Sequence, residues 1–451
     1  MRRFATLFIL TLLASYGATF AANTFVADQS LPLQIHERDL RDDGFSVSLD
    51  VQEPTMTTVM ELDAPLMYAE YPISGGFIEE EGFPFIPSIG RAFRVPLNMD
   101  VRVELINAEF ELLTGVDYAS FIGADQQNNY GESHPVDEWY PEQIFEVSSP
   151  AMMHDFRFCN LLTFPVQVNT ARREVRVYSN IEVDIQYVGI DNPDAQPEYP
   201  TRISRTFLPY YRRFLDWDET ELDEYELYHG KVQVVMEDDD VLRNAMNPYF
   251  EWKRQKGWDL EFLTSDQVNW TPQAIRQELR DRYAVADPKF DFVVLIGDVG
   301  GAFNLPTGTN PVQGGYGDFA DYYYQKMDDN DIYQDVIVGR ISVRTEQEAA
   351  AYANKVLLYE KTPYMAETDW YKQGTTMAAW DYAGTSTIAC AEYVRHEMFR
   401  QGYTSAPIHI SQFANAAAAV PDLNAGVTYY HFRGGIGCGL STAQILSLIH
   451  I

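Results

Sequence analysis

Apolar and polar residues alternate along three runs in the first half of the chain: "FSVSLDVQ", "RVPLNMDVRVELINAEFELL" and "REVRVYSNIEVDIQYV". Alternation with a period of two is typical of half-buried antiparallel strands, which turn one face to the core and the other to water. Turn-forming residues, as in "ISGG" and "GFPFIP", separate the runs. The pattern predicts that residues 23–191 form a β-sandwich-like domain.

From Lys231 onward the pattern changes to short apolar runs separated by longer stretches of helical periodicity. The apolar runs are "KVQVVM", "WDLEFLT", "FDFVVLIGD", "GTTMAAW" and "VTYYHF". Strands that alternate with helices favour a mostly parallel sheet covered by helices on both faces. We therefore predict an α+β chain in which residues 231–451 form an α/β/α domain.

Capping residues mark the expected starts of three helices in this second part. Asn247 precedes Pro248, and an Asn cap before a Pro at the first helical position is typical of a helix start. Thr271 caps the next helix in the same way, and Thr345 with Glu348 forms a capping box for the third.

Residues 192–230 join the two patterns and combine prolines, a basic cluster and an acidic run. This composition is typical of a linker between domains. Arg212 and Arg213 lie inside it and form a candidate site for proteolytic processing. A solvated cluster of surface charge fits the same two residues.

Residues 1–22 carry the three parts of a secretory signal peptide. "MRRF" is charged, "ATLFILTLLASYG" is apolar but too short to span a bilayer well, and "ATFAA" supplies small residues at the cleavage position. We expect cleavage near Ala21 or Ala22, and a secreted or cell-surface protein; an N-terminal membrane anchor is the alternative. No later stretch is long and apolar enough to span a membrane.

The net charge of the chain argues against two classes of partner, nucleic acids and anionic membranes. The chain has 66 acidic against 33 basic residues, which gives a formal net charge of -33. Such a surface repels nucleic acid and anionic membranes, so neither is an expected partner. It suits an exported protein and leaves room for bound divalent cations.

One loop, "MDDNDIYQD", concentrates this acidic character. Its residues Asp328, Asp331 and Asp335 offer the hard oxygen ligands that Ca²⁺ prefers. The loop lacks the turn glycine and the distal glutamate of an EF-hand. A calcium site and a solvated acidic turn are both consistent with the sequence.

Several stretches resemble the gingipain-type cysteine peptidases. These are "YFEWKRQKGWDLEF", "FVVLIGDVGGAFNLPT" and "DYYYQKMDDNDIYQDVIVGRISVRTEQEAAAYANKVLLYEKTP". The β-rich N-terminal part resembles the inhibitory propeptide of that family, and the likeness extends from about Pro54 onward.

The resemblance implies a caspase-like α/β/α fold and a secreted zymogen whose propeptide binds its own catalytic domain. It also implies peptide or protein substrates, a Cys–His pair that cleaves peptide bonds, a structural Ca²⁺ and no required cofactor. A cysteine thiolate attacks the scissile carbonyl, and the imidazole protonates the leaving amine.

Carried over residue by residue, the resemblance assigns some roles and leaves others open. By resemblance, the acid that orients the histidine corresponds to Asp381, at the end of a predicted strand. The sequence is equally consistent with an Asp381 that only caps a turn. The family's Gly-His-Gly motif corresponds to the loop that begins with Gly434 and Gly435. The resemblance implies that the backbone amides of these two residues hold the oxyanion. The loop itself contains no histidine. His431 lies just before this loop. It is a candidate for the catalytic histidine, and an ordinary histidine of a strand is the alternative.

The nucleophile is the residue that the resemblance does not supply, because the family position falls beyond Ile451. Cys438 is a substitute candidate, since it follows a strand in a glycine-rich loop. We therefore expect the chain to be a C-terminally incomplete fragment that is inactive as it stands.

Three functions remain open on the sequence alone. The first is a gingipain-like cysteine endopeptidase zymogen, and the second is a non-catalytic member of that family that serves surface binding or secretion. The third is an unrelated secreted module that acts on carbohydrate. Substrate specificity is open as well, because no carboxylate stands near Thr387 to pair with a basic side chain.

Overall fold

The computed structural model describes residues 32–59, 66–71, 76–78, 80–121, 130–132, 134–192, 196–308, 320–327, 331–379, 385–411 and 416–433. The predicted signal peptide, residues 1–22, lies outside these ranges. The described part divides into two compact units. The N-terminal unit holds the residues up to Arg202 together with Leu208–Glu226, and the C-terminal unit holds Ile203–Phe207 together with the residues from Leu227 onward.

The N-terminal unit consists mainly of antiparallel strands. They are β1 Leu33–Arg41, β2 Gly44–Val51, β3 Thr55–Val59, β4 Leu66–Glu70, β5 Gly76–Ile78, β6 Ile86–Arg94, β7 Met99–Thr114, β8 Ala119–Phe121, β9 Tyr130–Glu132, β10 Phe145–Val147, β11 Ala151–Met153, β12 Phe156–Thr163, β13 Val166–Asn169 and β14 Glu174–Gly189.

Ten of these strands form two five-stranded sheets, while β3 pairs with β4 and β8 pairs with β9. In the first, β14 pairs with β7 along its whole length and with β13 and then β2 on its other edge, and β1 continues beyond β2. In the second, β12 pairs with β6 on one edge and with β10 and β11 on the other, and β5 continues beyond β6.

One apolar core joins the two sheets. Alternate residues of β2 and β14, from the first sheet, pack with residues of β6 and β12, from the second: Phe45, Val47, Leu49, Ile181, Val183, Ile185, Ile89, Phe93, Cys159 and Leu161. The predicted β-sandwich is therefore confirmed. Cys159 is a core residue here, and burial raises the pKa of its thiol to about 12, which makes it a poor nucleophile.

The segment predicted as a linker is folded over much of its length, so the expectation of a 192–230 linker is wrong for that part. Leu208–Glu226 belongs to the N-terminal unit and contains the short helix α1, Leu208–Tyr211, and a 3-10 helix, Glu219–Glu224. Four aromatic side chains of the segment pack around the ring of Phe156, which is buried: Tyr211, Phe214, Trp217 and Tyr225. Prolines and charges suggested a linker, whereas these aromatic residues bury enough surface to fold it.

The remaining elements are β15 Arg202–Ser204, β16 Glu226–Tyr228, β17 Lys231–Met236, α2 Asp240–Gln255, β18 Leu260–Thr264, α3 Pro272–Val285, β19 Phe290–Ile296, β20 Ile337–Ile341, α4 Glu346–Glu360, β21 Gly374–Ala379, α5 Thr385–Arg400, β22 Ile408–Ser411, α6 Val420–Ala425 and β23 Tyr429–Arg433. Short 3-10 helices occupy Asp321–Tyr324, Asp369–Lys372 and Ala416–Ala419.

The C-terminal unit contains two parallel sheets. The first has the strand order β18-β17-β19-β20, with α2 and α4 packed on one face and α3 on the other. The second has the order β22-β21-β23, with α5 beside one face and α6 packed on the other. The expected fold class, a β-sandwich followed by an α/β/α domain with parallel strands, is confirmed.

Helix α2 begins earlier than its predicted cap at Asn247. Asp239 is the cap, and its side chain accepts a hydrogen bond from the amide of Leu242 at 2.9 Å. Pro248 therefore lies inside the helix. Leu242, Met246 and other residues at helical spacing form a stripe buried on the sheet, which favours the longer helix. The caps at Thr271 and Thr345 are confirmed.

Among the described residues, none of the helices combines the length and the apolar character needed to cross a membrane.

A buried ion pair joins α2 to α4. The Glu360 carboxylate accepts hydrogen bonds from Lys253 Nζ at 2.6 Å, Lys256 Nζ at 3.1 Å and Trp252 Nε1 at 2.9 Å. Burial alone would raise the pKa of Glu360, but the attraction and hydrogen bonds of the two ammonium groups outweigh it and lower the pKa below its ordinary value. The negative charge is therefore part of the fold.

We predict that Glu360→Gln lowers the melting temperature of the C-terminal unit by roughly 10 °C, because it leaves the Lys253 ammonium buried without a counter-charge. Differential scanning calorimetry above pH 6 measures the shift. The wild-type protein should lose its higher melting temperature relative to the variant as the pH falls below about 4.5, the ordinary pKa of a glutamate. The reason is that folding lowers the pKa of Glu360.

Glu251→Gln is the matched control, since Glu251 makes an exposed pair with Arg254 on the same helix α2. It should melt close to wild type. Equal melting temperatures for the two variants would show that the charge of Glu360 does not hold the helices together.

Candidate active site

In a parallel sheet the loops beyond the carboxyl ends of the strands are the expected place for a site. In the first sheet, Arg340 on β20 binds two parts of the connection that follows β19. Its guanidinium is buried and donates two hydrogen bonds of 2.8 Å to the carboxylate of Asp321. It also donates to the carbonyl oxygens of Gly297 at 3.1 Å and Leu305 at 2.9 Å, in the loop after β19.

A second arginine holds the same loop from the outside. Arg344 Nε donates to Asp298 Oδ2, and the other carboxylate oxygen of Asp298 accepts the amide of Val299 at 2.8 Å. Burial would raise the pKa of Asp298, but the hydrogen bond from Arg344 and that amide bond lower it. Arg340 and Arg344 thus hold residues 297–305, the first part of the connection after β19, by hydrogen bonds.

The second sheet places His431 on β23, among the residues that face α5. His431 is buried, and its Nε2 lies 3.8 Å from the Sγ of Cys390 on that helix. Burial, reinforced by the positive charge of Arg433, lowers the pKa of His431 to about 4. The imidazole is therefore neutral at pH 6 to 8.

A neutral imidazole limits what this pair can do. Stabilisation of a thiolate by a neighbouring histidine depends on the imidazolium form, which His431 does not adopt near neutral pH. The contact is therefore typical of a packed strand histidine. The sequence alone does not predict the pair of Cys390 and His431, because their contact depends on which faces of α5 and β23 meet.

The other predicted members of the catalytic site fall outside the described residues. This applies to Asp381, to Gly434 and Gly435, and to Cys438. In the sequence they follow β21 and β23, which are neighbouring parallel strands of the second sheet. Their catalytic roles stay predictions.

The acidic loop is described only in part, and Asp328 lies outside. Asp335 is buried, and its Oδ2 accepts the amide of Met327 at 2.6 Å. Asp331 Oδ1 accepts the amide of Tyr333 at 2.7 Å. Within the described ranges no three acidic, histidine or cysteine side chains are grouped to hold a metal ion. The two described carboxylates thus help to fold the loop, and calcium binding stays a prediction.

The dibasic pair is built into the folded segment of the N-terminal unit. Arg212 donates from Nε to Glu219 Oε2 at 3.0 Å, and the amide of Arg213 donates to the carbonyl of Tyr210 at 3.0 Å. Arg213 is exposed, while Phe214, next in the chain, is buried. A protease that requires an extended substrate would need this turn to open first.

Comparison with known families agrees with this architecture. The model of peptidase family C25 matches residues 228–448, and the model of the C25 propeptide matches residues 42–198. Gingipain R1 of Porphyromonas gingivalis is 21% identical over 398 residues, which covers 83% of this chain and 38% of that protein. Lys-gingipain W83 of the same species is 22% identical over 418 residues, which covers 86% of this chain and 23% of that protein. The chain thus spans less than half the length of these two curated relatives.

Solved structures of gingipains also align with parts of the chain. The Arg-specific cysteine proteinase gingipain R superposes with a TM-score of 0.38 at 20% identity, over 46% of each chain. The complex of Porphyromonas gingivalis RgpB pro- and mature domains superposes with a TM-score of 0.35 at 18% identity, over 42% of this chain and 100% of that one.

We predict that the imidazole of His431 titrates near pH 4 in the folded chain. The contribution of a neutral buried His431 to stability is then complete above its ordinary pKa of 6.5 and is lost as the pH falls from 6.5 to about 4. A ring-carbon NMR titration, with His431→Gln used to assign the signal, measures this pKa. A value near 6.5 would mean that the imidazole is exposed to water and free to act in acid–base chemistry.

Proposed function

The chain belongs to the gingipain-type cysteine peptidases of family C25, and from that premise we propose that it is the zymogen of a secreted cysteine endopeptidase. The observation that carries the proposal is the order of the two matches. A propeptide match at residues 42–198 precedes a peptidase match at residues 228–448, and they coincide with a β-sandwich and with a parallel α/β/α unit. The N-terminal unit is the propeptide and acts on its own peptidase unit.

The proposed chemistry is the hydrolysis of peptide bonds. A cysteine thiolate attacks the scissile carbonyl carbon, the histidinium gives its proton to the leaving amine, and water then hydrolyses the thioester. Asp381 would orient the histidine, and the amides of Gly434 and Gly435 would hold the oxyanion.

A non-catalytic family member is the second candidate, and one observation favours it. His431, which stands next to the family's histidine position, is buried and neutral, and the following Gly434 and Gly435 have no histidine between or beside them. Such a chain would keep the fold for binding or secretion at the cell surface. In either case the predicted signal peptide at residues 1–22 supports export.

Hydrolysis of a fluorogenic peptide library separates the two candidates. The open reading frame that carries this sequence is expressed with its signal peptide, and turnover is measured before and after removal of the N-terminal unit. We expect turnover that appears on removal and is abolished by iodoacetamide. Asp381→Asn should lower it by roughly 10²–10⁴-fold, whereas Cys438→Ala should leave it unchanged.

Absence of turnover in the processed protein would decide for the non-catalytic candidate. Turnover that survives iodoacetamide would overturn the cysteine mechanism, and loss of turnover in Cys438→Ala would identify Cys438 as the nucleophile.

We also propose that the loop of Asp328, Asp331 and Asp335 binds Ca²⁺ as a structural ion. Its acid content and its resemblance to the aspartate-rich loop of the family support this. The carboxylates of Asp331 and Asp335 both lie in this loop, where each accepts a backbone amide, and carboxylate oxygens are the ligands that Ca²⁺ prefers.

Millimolar Ca²⁺ should therefore raise the melting temperature of the C-terminal unit by a few degrees. Asp331→Asn should abolish the shift, since it removes a charged ligand from the loop. Glu251→Gln, far along the chain on α2, should keep it. An identical melting temperature with and without Ca²⁺ in wild type would remove the proposal.

A further inference from the structure

Strand β7 forms one edge of the sheet that contains β1, β2, β13 and β14 in the N-terminal unit. It runs for 16 residues, Met99–Thr114, and among the described strands it pairs only with β14. An edge strand presents backbone amides and carbonyls that can pair with another extended segment. Proteins protect such edges with short strands, prolines or charges that point toward the core. β7 is long and contains no proline.

The side of β7 that faces the sandwich core carries a row of apolar residues. Leu105 lies opposite Val183 and Phe110 lies opposite Tyr178, and both of these β14 residues belong to the core. Directly opposite residues of an antiparallel pair share a face of the sheet, and Leu112 follows Phe110 on that same face. Leu105, Phe110 and Leu112 are nevertheless 47%, 45% and 46% exposed. The row thus continues the core face onto a surface that is open to water.

The charged residues of β7 are mainly acidic. The strand contains Asp100, Glu104, Glu109 and Glu111, and its single basic residue, Arg102, lies 3.5 Å from Glu104. All five side chains are exposed. Two copies of β7 laid edge to edge would bring acidic side chains together, which disfavours self-association. A basic strand would meet opposite charges along the same edge.

The other edge of this sheet has a different charge. It is formed by β1, Leu33–Arg41, which contains the acidic Glu37 and Asp39 together with the basic Arg38 and Arg41. These charges are balanced, so β1 has no electrostatic preference for a basic segment. The acidic edge is therefore a property of β7 and not of the sheet as a whole.

We propose that β7 is a docking edge for an extended basic segment of another protein, in which lysine or arginine alternates with large apolar residues. The segment adds to the sheet as a further strand, and its backbone pairs with the free edge of β7. Its apolar side chains extend the row of Leu105, Phe110 and Leu112, and its basic side chains face the acidic ones of β7. Docking here requires no peptidase activity, so it can be confirmed or refuted independently of the proposed function.

A synthetic peptide in which lysine alternates with valine tests the edge on the full chain. The peptide has about eight residues, which is within the usual length of a strand. Fluorescence anisotropy in about 0.1 M salt should show saturable binding that weakens as salt is added. A glutamate–valine peptide should not bind, and a lysine–serine peptide should bind at least about tenfold more weakly because it lacks the apolar side chains. Equal binding of the lysine–valine and lysine–serine peptides would overturn the role of the apolar row.

Two methylated peptides then separate strand addition from simple attraction of charge. One carries methyl groups on the amide nitrogens of its lysines, and the other carries them on those of its valines. Alternate amides of a strand point to opposite edges, so one of the two peptides should lose its binding while both keep their charge. Equal binding of both would show that no backbone pairing occurs and would overturn the proposal. Mass spectrometry verifies that the peptides stay intact.

Reversal of charge on β7 tests where the peptide binds. Glu109→Lys combined with Glu111→Lys should weaken the lysine–valine peptide about tenfold, because two cross-strand attractions become repulsions. It should also allow the glutamate–valine peptide to bind. Glu37→Lys combined with Asp39→Lys is the matched control on β1. Three strand spacings, about 14 Å, separate β1 from β7 and exceed the Debye length of about 10 Å, so the control should bind like wild type.

Equal weakening in the two double variants would show that net charge decides the binding and would overturn the assignment to β7. Melting of both variants verifies that they are folded. Hydrogen exchange with bound peptide should slow in β7 and stay unchanged in β1. Protection confined to any other element would place the peptide elsewhere. A chain that dimerises without peptide, with β7 already protected, would assign the edge to a second copy and would refute the basic partner.

Discussion

The buried guanidinium of Arg94 sets the boundary of the N-terminal unit, because it holds the segment Leu208–Glu226 on the sandwich. A charge can leave water only when it is paired and its donors are satisfied. Arg94 meets this requirement only through groups of the segment that follows the sandwich, namely Asp216, Glu221 and Tyr225. Removing that segment would leave an unpaired cation in the sandwich wall. The N-terminal unit therefore consists of the sandwich together with this segment.

The same requirement acts in the C-terminal unit with the opposite sign of charge. Asp291 interrupts an otherwise apolar strand, where a carboxylate is tolerated only with donors at hand. Those donors come from Thr206 and from the amide of Gly230, both before the first strand of the parallel sheet. Two buried charges on two different units thus position the chain on either side of the candidate processing site.

Local signals in the sequence predict much of this fold. The alternation of β2, β7 and β14 indicates the strand-rich domain, and the caps at Thr271 and Thr345 place two helices correctly. The start of α2 was wrong because Asn247 and Pro248 form a good local cap, whereas a buried stripe from Leu242 stabilises the longer helix.

The linker prediction was wrong for Leu208–Glu226 because it was based on prolines and charges. The segment folds through aromatic side chains that pack on Phe156, and these contacts depend on the tertiary structure. The proximity of His431 and Cys390 depends on strand order and on helix placement, which no local pattern encodes. For the same reason the roles of Asp381 and Cys438 rest on family resemblance and spacing.

Hydrogen exchange of the segment between Arg213 and Tyr225 measures directly whether this segment folds with the sandwich. The amide of Leu215 donates to the carbonyl of Ala92 on β6 at 2.8 Å, so it should exchange as slowly as the amides of the sandwich strands. Mass spectrometry of the intact, uncut chain should show that this segment and β6 become labelled together. Labelling of the segment within seconds, while β6 stays protected, would show that the segment is a linker and that Arg94 does not hold it on the sandwich.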